Sequence, residues 1–282
     1  MKILVTGASG QLGTALQRIL VPAHQVFAAA HSDLDITRES DVNSFLDDHA
    51  ADWLINAAAY NQVDKAETDR DAAFRLNAEG PANLARATAE RGIGLVHVST
   101  DYVFDGTLGR PLTESDTPSP RSVYGDSKLA GEREVASANP RHLIVRTAWL
   151  YSETGNNFPK TMIRLAAAGD VRVVSDQFGS PTYAGHLAEG ILSLLEKEAS
   201  GLYHLAGSGG TSWFGFTKAL FSRFGITVKV TPIPGSEFPR PAKRPACGIL
   251  ETGREPAVVL PPWEEGLDCF VERMRAAQGG IQ

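Results

Sequence analysis

A turn of three evenly spaced glycines, set between a short strand and a helix at the very start of the chain, constrains its fold more than any other feature. Residues 2–6 (Lys-Ile-Leu-Val-Thr) are β-prone, and Gly7-Ala8-Ser9-Gly10-Gln11-Leu12-Gly13 follows at once. An amphipathic stretch then runs from Thr14 to Leu20. Strand, G-x-x-G-x-x-G turn and helix together open a dinucleotide-binding βαβ unit. Gly7 permits the tight turn, Gly10 lets backbone approach a pyrophosphate, and Gly13 lets the helix lie close on the sheet. The helix N-terminus, with Gln11 and Leu12 in its first turn, offers free amides and the positive end of its dipole to phosphates. The competing reading is a plain strand-to-helix connection.

The second strand, 25–29, predicts the choice of dinucleotide. It ends in Ala30-His31-Ser32, with no acidic residue to hold a ribose 2′-hydroxyl and repel a 2′-phosphate. NADPH is therefore expected, with NADH left open. Asp35 and Ile36 come late for the ribose role and are expected to flank the adenine, although Asp35 serves equally well as a turn or cap residue before Thr37.

Apolar strands and helical stretches alternate through the first half. Strands are predicted at 2–6, 25–29, 52–56, 94–98 and 142–147, and helices at 12–20, 38–48, 70–91 and 122–138. That pattern specifies an α/β fold, a doubly wound parallel sheet of Rossmann type. Ligands bind beyond the carboxyl ends of the strands in such sheets. The suggestive turns all fall there: Gly7, then Asn56-Ala57-Ala58-Ala59, then Ser99-Thr100-Asp101, then Thr147-Ala148-Trp149. After residue 150 prolines and glycines cluster and the alternation loosens. The expectation is a dinucleotide-binding domain over 1–150, with 183–206 returning to it, and a smaller C-terminal substrate-binding lobe over 151–282.

Tyr124 and Lys128 carry the chemistry. Residues four apart share a helix face, so an ammonium can lie beneath a phenol. A nearby cation favours phenolate, and lowering a tyrosine pKa by about three units takes roughly 4 kcal/mol. A proton donor or acceptor usable near neutrality would result. The pair alone is commonplace on exposed helix faces; the glycine turn and the upstream hydroxyl of Thr100 give it meaning.

Bulk properties exclude several classes. A net charge of −6 on 282 residues argues against a nucleic-acid or anionic-membrane surface. No apolar run of about 18 residues and no signal-like segment is present. Two cysteines, Cys247 and Cys269, build neither a disulfide framework nor a metal site, and the seven histidines show no ligand spacing. A cytoplasmic protein without metal is expected, as a monomer or a homodimer.

Longer strings carry a family resemblance. They are Asn-Ala-Ala-Ala-Tyr over 56–60 with Val63-Asp64-Lys65-Ala66-Glu67, and Ser-Thr-Asp-Tyr-Val-Phe over 99–104. Further on come Arg146 to Tyr151, Gly155-Asn156-Asn157-Phe158, Asp176 to Thr182, Gly201 to His204, and Arg244-Pro245 ahead of Leu250. With them the chain resembles the extended short-chain dehydrogenase/reductase superfamily, and within it the dTDP-4-dehydrorhamnose reductase family. The resemblance covers nearly the whole length. It implies NADPH-dependent reduction of the C4 carbonyl of dTDP-4-dehydro-L-rhamnose to dTDP-L-rhamnose. Tyr124 would then be the proton donor, Thr100 a hydrogen-bonding partner of the same oxygen, and Lys128 the residue that lowers the tyrosine pKa and holds the nicotinamide ribose.

The resemblance also places substrate contacts. Trp149 would stack on the thymine, although a core tryptophan is the alternative; Arg244 would meet the diphosphate, since guanidinium matches phosphate bidentately. Val63, Asp64, Asp101, Tyr102, Asn157 and Gln177 complete the expected set, with Asp64 equally able to cap a helix. Where some family members carry a glutamate used in a metal-bridged dimer, this chain has Ala15. Two rival readings accompany this one: another nucleotide-sugar reductase or epimerase of the superfamily, and a non-catalytic NADP-binding regulatory subunit.

Overall fold

Ten helices and thirteen strands make up the computed structural model, which describes residues 1–279; the last residues of the expected lobe, 280–282, lie outside it. In chain order the elements begin β1 (Lys2–Thr6), α1 (Gln11–Leu20), β2 (Gln25–Ala29), α2 (Glu39–Asp48), β3 (Trp53–Asn56), α3 (Val63–Ala66), α4 (Arg70–Phe74) and α5 (Gly80–Glu90). They continue with β4 (Gly94–Thr100), α6 (Val123–Ala138), β5 (His142–Thr147), β6 (Leu150–Tyr151), α7 (Phe158–Ala166), β7 (Val171–Val174), β8 (Phe178–Gly179) and β9 (Thr182–Tyr183). The remainder are α8 (Ala184–Glu196), β10 (Gly201–His204), β11 (Thr211–Ser212), α9 (Trp213–Phe224), β12 (Val230–Ile233), β13 (Cys247–Gly248) and α10 (Trp263–Gly279).

Six of these strands form one sheet in the order β10-β5-β4-β3-β1-β2, parallel throughout. Parallel strands covered on both faces read as continuous apolar runs, and Ile3, Leu4 and Val5 are each fully buried. One face of the sheet packs on α1 and α8 through Leu16, Leu20, Leu187 and Ile191. The other packs on α2, α5 and α6 through Val42, Leu84 and Val135. Helices on both faces make the sheet doubly wound. The strand order reverses between β1 and β3, so the ligand crevice of such a sheet falls at their carboxyl ends, where the flanking connections part.

The helix predicted across 70–91 is interrupted. A turn of π-helix, Arg75–Glu79, separates α4 from α5. Pro81 has no amide to give to the carbonyl four residues back, which loosens the ladder there. The buried Asn77 uses the bulge to grip the neighbouring segment: its Oδ1 accepts from the Tyr60 amide at 2.8 Å and its Nδ2 donates to the Tyr60 carbonyl at 3.0 Å. The remaining elements enclose a second, aromatic core that includes Tyr151, Phe216, Trp263 and Phe270. No helix among the described residues is long and apolar enough to cross a membrane.

Candidate active site

At the carboxyl edge of the sheet a cleft of about 610 Å³ opens between the glycine turn and the segments after residue 147. Its floor is the β1–α1 turn. Gly7 adopts φ +66°, and a Cβ on it would stand 2.7 Å from the Ala57 carbonyl carbon and the Ala58 nitrogen. A Cβ on Gly13 would stand 2.3 Å from the Gly7 carbonyl oxygen, so only glycine lets α1 sit this close to the turn. Ser9, Gly10, Gln11 and Leu12 line the cleft above them. Asn56, buried at the end of β3, shapes the facing turn: its Oδ1 accepts from the Thr6 hydroxyl at 2.7 Å and the Ala58 amide at 3.1 Å. That turn presents Ala57, Ala58 and Ala59 to the cleft. Small side chains, free helix amides and the absence of a Cβ at Gly7, Gly10 and Gly13 fit a dinucleotide diphosphate.

Thr100, Tyr124 and Lys128 meet on the opposite wall. Thr100 is the last residue of β4; its hydroxyl donates to Asp101 Oδ1 at 3.1 Å and accepts from the Tyr102 amide at 3.2 Å. Ser122 caps α6 by accepting from the Gly125 amide, and the helix then carries Tyr124, Lys128 and Glu132 on successive turns of one face. Tyr102 meets the Tyr124 ring edge-on with centroids 5.4 Å apart. Lys128 is 2% exposed and its Nζ donates to the Val98 carbonyl at 2.6 Å. Glu132 is paired to Arg146 on β5 through two hydrogen bonds of 2.9 and 2.7 Å, both side chains buried. That pair fixes α6 against the sheet.

Burial dominates the electrostatics here. The expectation that Lys128 lowers the Tyr124 pKa is corrected: the phenol is pushed up to about 12 by burial, with the Thr100 hydroxyl pulling the other way and the Asp101 charge adding to the rise. Lys128 is itself brought down to about 8 by burial, against the favourable charge of Glu132. Asp101, 3% exposed, is raised to about 7 by the same cause. His97, behind the site and bonded to Asn56, is held well below its ordinary value and is neutral.

Aromatic rings close the far end. Trp149 adopts φ +45°, a region a tryptophan enters only when its surroundings hold it there. Trp213 supplies that support: the two indoles stack with centroids 3.3 Å apart and planes 4° from parallel, and Phe158 leans on Trp213 at 4.3 Å. Both tryptophans line the cleft. Trp213 escaped the sequence reading, because as the first residue of α9 behind a Ser212 cap it looks like an ordinary helix start. Asn61 was missed as well, with no local signal to mark it; Gly155 and Asn156 stood in the string over 155–158 but were not named as site residues.

Several expected site residues lie outside the lining. Asp35 accepts from the Thr37 amide at 3.0 Å and hydroxyl at 2.8 Å, the turn role, and Ile36 is buried in the core. Gln177 does not border the cleft, and neither do Asp64 or Arg244, although Val63 beside Asp64 does. Asp64 holds Arg244 at 3.1 and 3.0 Å and Arg240 at 2.9 Å, which straps the 240–244 segment onto α3. The two guanidiniums bring its carboxyl down to about 2, against the effect of burial. Asn157 borders the cleft, but its Oδ1 caps α7, accepting from the Lys160 amide at 3.2 Å. Among the described residues no three His, Cys, Asp or Glu side chains form a group that could hold a metal ion.

A parallel sheet with a glycine turn at its switch point, and Thr, Tyr and Lys meeting over that turn, defines an oxidoreductase of the short-chain dehydrogenase/reductase class. The family described as the RmlD substrate binding domain matches residues 1–276. The dTDP-4-dehydrorhamnose reductase of Sinorhizobium fredii is 42% identical over 94% of this chain and 95% of its own length. A Streptomyces antibioticus protein named a probable dTDP-4,6-dihydroxy-2-methyloxan-3-one 4-ketoreductase is 41% identical over 95% of this chain and 93% of its own. Among solved structures, the dTDP-4-dehydrorhamnose reductase of Bacillus anthracis in complex with NADP is 40% identical, covers 96% of this chain and 99% of that one, and superimposes with a TM-score of 0.94. The chain belongs to the dTDP-4-dehydrorhamnose reductase family.

Proposed function

We propose that this protein reduces the C4 carbonyl of dTDP-4-dehydro-L-rhamnose with NADPH, giving dTDP-L-rhamnose. The observation that carries the reading is the convergence of Thr100, Tyr124 and Lys128 across one cleft from the Gly7–Gly13 turn. A dihydronicotinamide bound in this cleft would supply the hydride to C4. The chain then has to neutralise the oxygen that gains the electron pair. Tyr124 gives its phenolic proton to that oxygen, and its raised pKa keeps the proton in place until the alkoxide forms. Thr100 turns its hydroxyl proton from Asp101 Oδ1 to the same oxygen, an interaction strongest when charge has developed. Lys128 is the cation that faces the resulting phenolate from the next helical turn. Trp149 offers its ring to the thymine, and Val63, Asp101, Tyr102 and Asn157 border the sugar and diphosphate side. NADP in the Bacillus anthracis relative supports the choice of cofactor.

The Streptomyces relative favours one further reading, a 4-ketoreductase acting on another dTDP-linked keto sugar. One experiment separates the two. Purified protein is mixed with NADPH and with dTDP-4-keto-6-deoxyhexose, made in place by a dehydratase with and without a 3,5-epimerase. NADPH consumption only with the epimerase supports the rhamnose reading. Consumption without it supports the other sugar, and no consumption in either case rejects both.

A further inference from the structure

We infer that the Gln11 side chain is a positioning residue that joins the dinucleotide turn to the loop over residues 152–157, so that cofactor and nucleotide sugar strengthen each other's binding. The inference rests on the nucleotide-sugar reading above. Gln11 is the first residue of α1, one peptide beyond Gly10, where its backbone amide belongs to the anion-binding end of the helix. Its side chain points the other way. Gln11 Oε1 accepts from Asn157 Nδ2 at 2.8 Å and from the Ser152 hydroxyl at 3.2 Å. The same Asn157 amide donates to the Ser152 carbonyl at 2.6 Å.

One acceptor on α1 thus holds the loop at both Ser152 and Asn157. Gly155, at φ +64°, lets the loop lie against the Gln11 stem, since a Cβ there would stand 3.2 Å from Gln11 Cγ. Two turns along the same face of α1, Arg18 meets Glu153 at 2.5 Å, and Glu153 also accepts from the Tyr183 hydroxyl at 3.1 Å. The seam therefore has a second fixed point, and Gln11 is the one at the ligands. Gly155, Asn156 and Asn157 all border the cleft, as do Gly10, Gln11 and Leu12.

Coupling follows from this connection. Phosphates bound to the first turn of α1 hold Gln11 still, and a fixed Gln11 holds Ser152 and Asn157. A nucleotide sugar then meets a loop already ordered and loses less conformational freedom on binding. The effect must be reciprocal between the two ligands.

The test measures dTDP affinity by calorimetry, with and without saturating NADP⁺, on the full chain and on Gln11→Met and Asn157→Ser. Serine keeps the α7 cap while removing the amide that reaches Gln11. NADP⁺ is expected to tighten dTDP binding to the native chain by at least about fivefold. In either variant the gain should fall below about twofold, and combining the two should remove nothing more. Variants that keep the native ratio, or a native chain with no gain, overturn the inference while leaving the reductase reading intact. No dTDP binding under any condition rejects the nucleotide-sugar reading and this inference with it.

Discussion

Lys128 donates from Nζ to the Val98 carbonyl at 2.6 Å, so the strand that ends in Thr100 also anchors the lysine. The Thr100 hydroxyl and the Lys128 ammonium are thereby set by one piece of backbone, and the Glu132–Arg146 pair holds the helix that carries Tyr124 against the same sheet. A nearly buried ammonium with its pKa near 8 is poised to lose its charge within the working range.

That value predicts an alkaline limb. Below about 8 Lys128 is cationic and faces the developing phenolate; above it the charge is lost, and turnover should fall with rising pH. The Tyr124 phenol, near 12, does not titrate in that interval. The pH profile of kcat should therefore bend near 8 in the native enzyme and lose that bend in Lys128→Met, whose turnover is low throughout. A bend that persists in the variant assigns the limb to another group.

Removing the phenol isolates the proton donor. Tyr124→Phe keeps the ring that meets Tyr102 edge-on but has no proton to give. Turnover is expected to drop by at least about a hundredfold, the usual contribution of a positioned acid, with NADPH affinity nearly unchanged. Single-turnover kinetics and fluorescence titration read the two effects separately. Near-native turnover would remove Tyr124 from the mechanism.

Asp101 predicts a stability effect with a definite sign. Its carboxyl ordinarily titrates at 3.8 and in the fold at about 7. Well below 3.8 folded and unfolded chains are both protonated there. Between 3.8 and about 7 the folded chain keeps a proton that the unfolded chain has released, so stability declines as pH rises and the loss is complete above about 7. A gap of about three pKa units corresponds to about 4 kcal/mol. Asp101→Asn should lack this decline, and denaturant midpoints of the two proteins measured across that window should diverge. Parallel curves would show that Asp101 ionises freely.

The first five strands were legible because each is a short apolar run bounded by turns, and the glycine turn announced the first crossover. Thr100, Tyr124 and Lys128 could be read together because strand end and helix face are local geometry. The break between α4 and α5 was hidden, since the Asn77 contacts that reward a π turn come from a distant segment. Asp35 left two roles open because an Asx turn and an adenine contact ask for the same residue, and its turn to Thr37 is the part the fold displays. The tyrosine pKa was misjudged for a related reason: the Tyr124–Lys128 spacing is visible in the sequence, but burial is not, and burial outweighs it. Trp213 became a wall of the cleft only through the fold of the second core.

The stacked indoles predict an order of effects. In the proposed reading Trp149 carries the ring offered to the base, and base stacking on an aromatic is worth about 1–3 kcal/mol. Trp213 acts through Trp149: it covers one face of that ring and keeps the tryptophan at a positive φ. An aromatic pair contributes about 0.5–1.5 kcal/mol beyond its buried area. Trp149→Ala should therefore weaken dTDP binding more than Trp213→Ala, with both leaving NADP⁺ affinity close to native. Either substitution should also abolish the exciton couplet that parallel indoles at 3.3 Å give in circular dichroism. Equal dTDP affinity in the native and Trp149→Ala proteins would show that the base lies elsewhere. A larger loss in Trp213→Ala would make Trp213, and not Trp149, the ring the base meets.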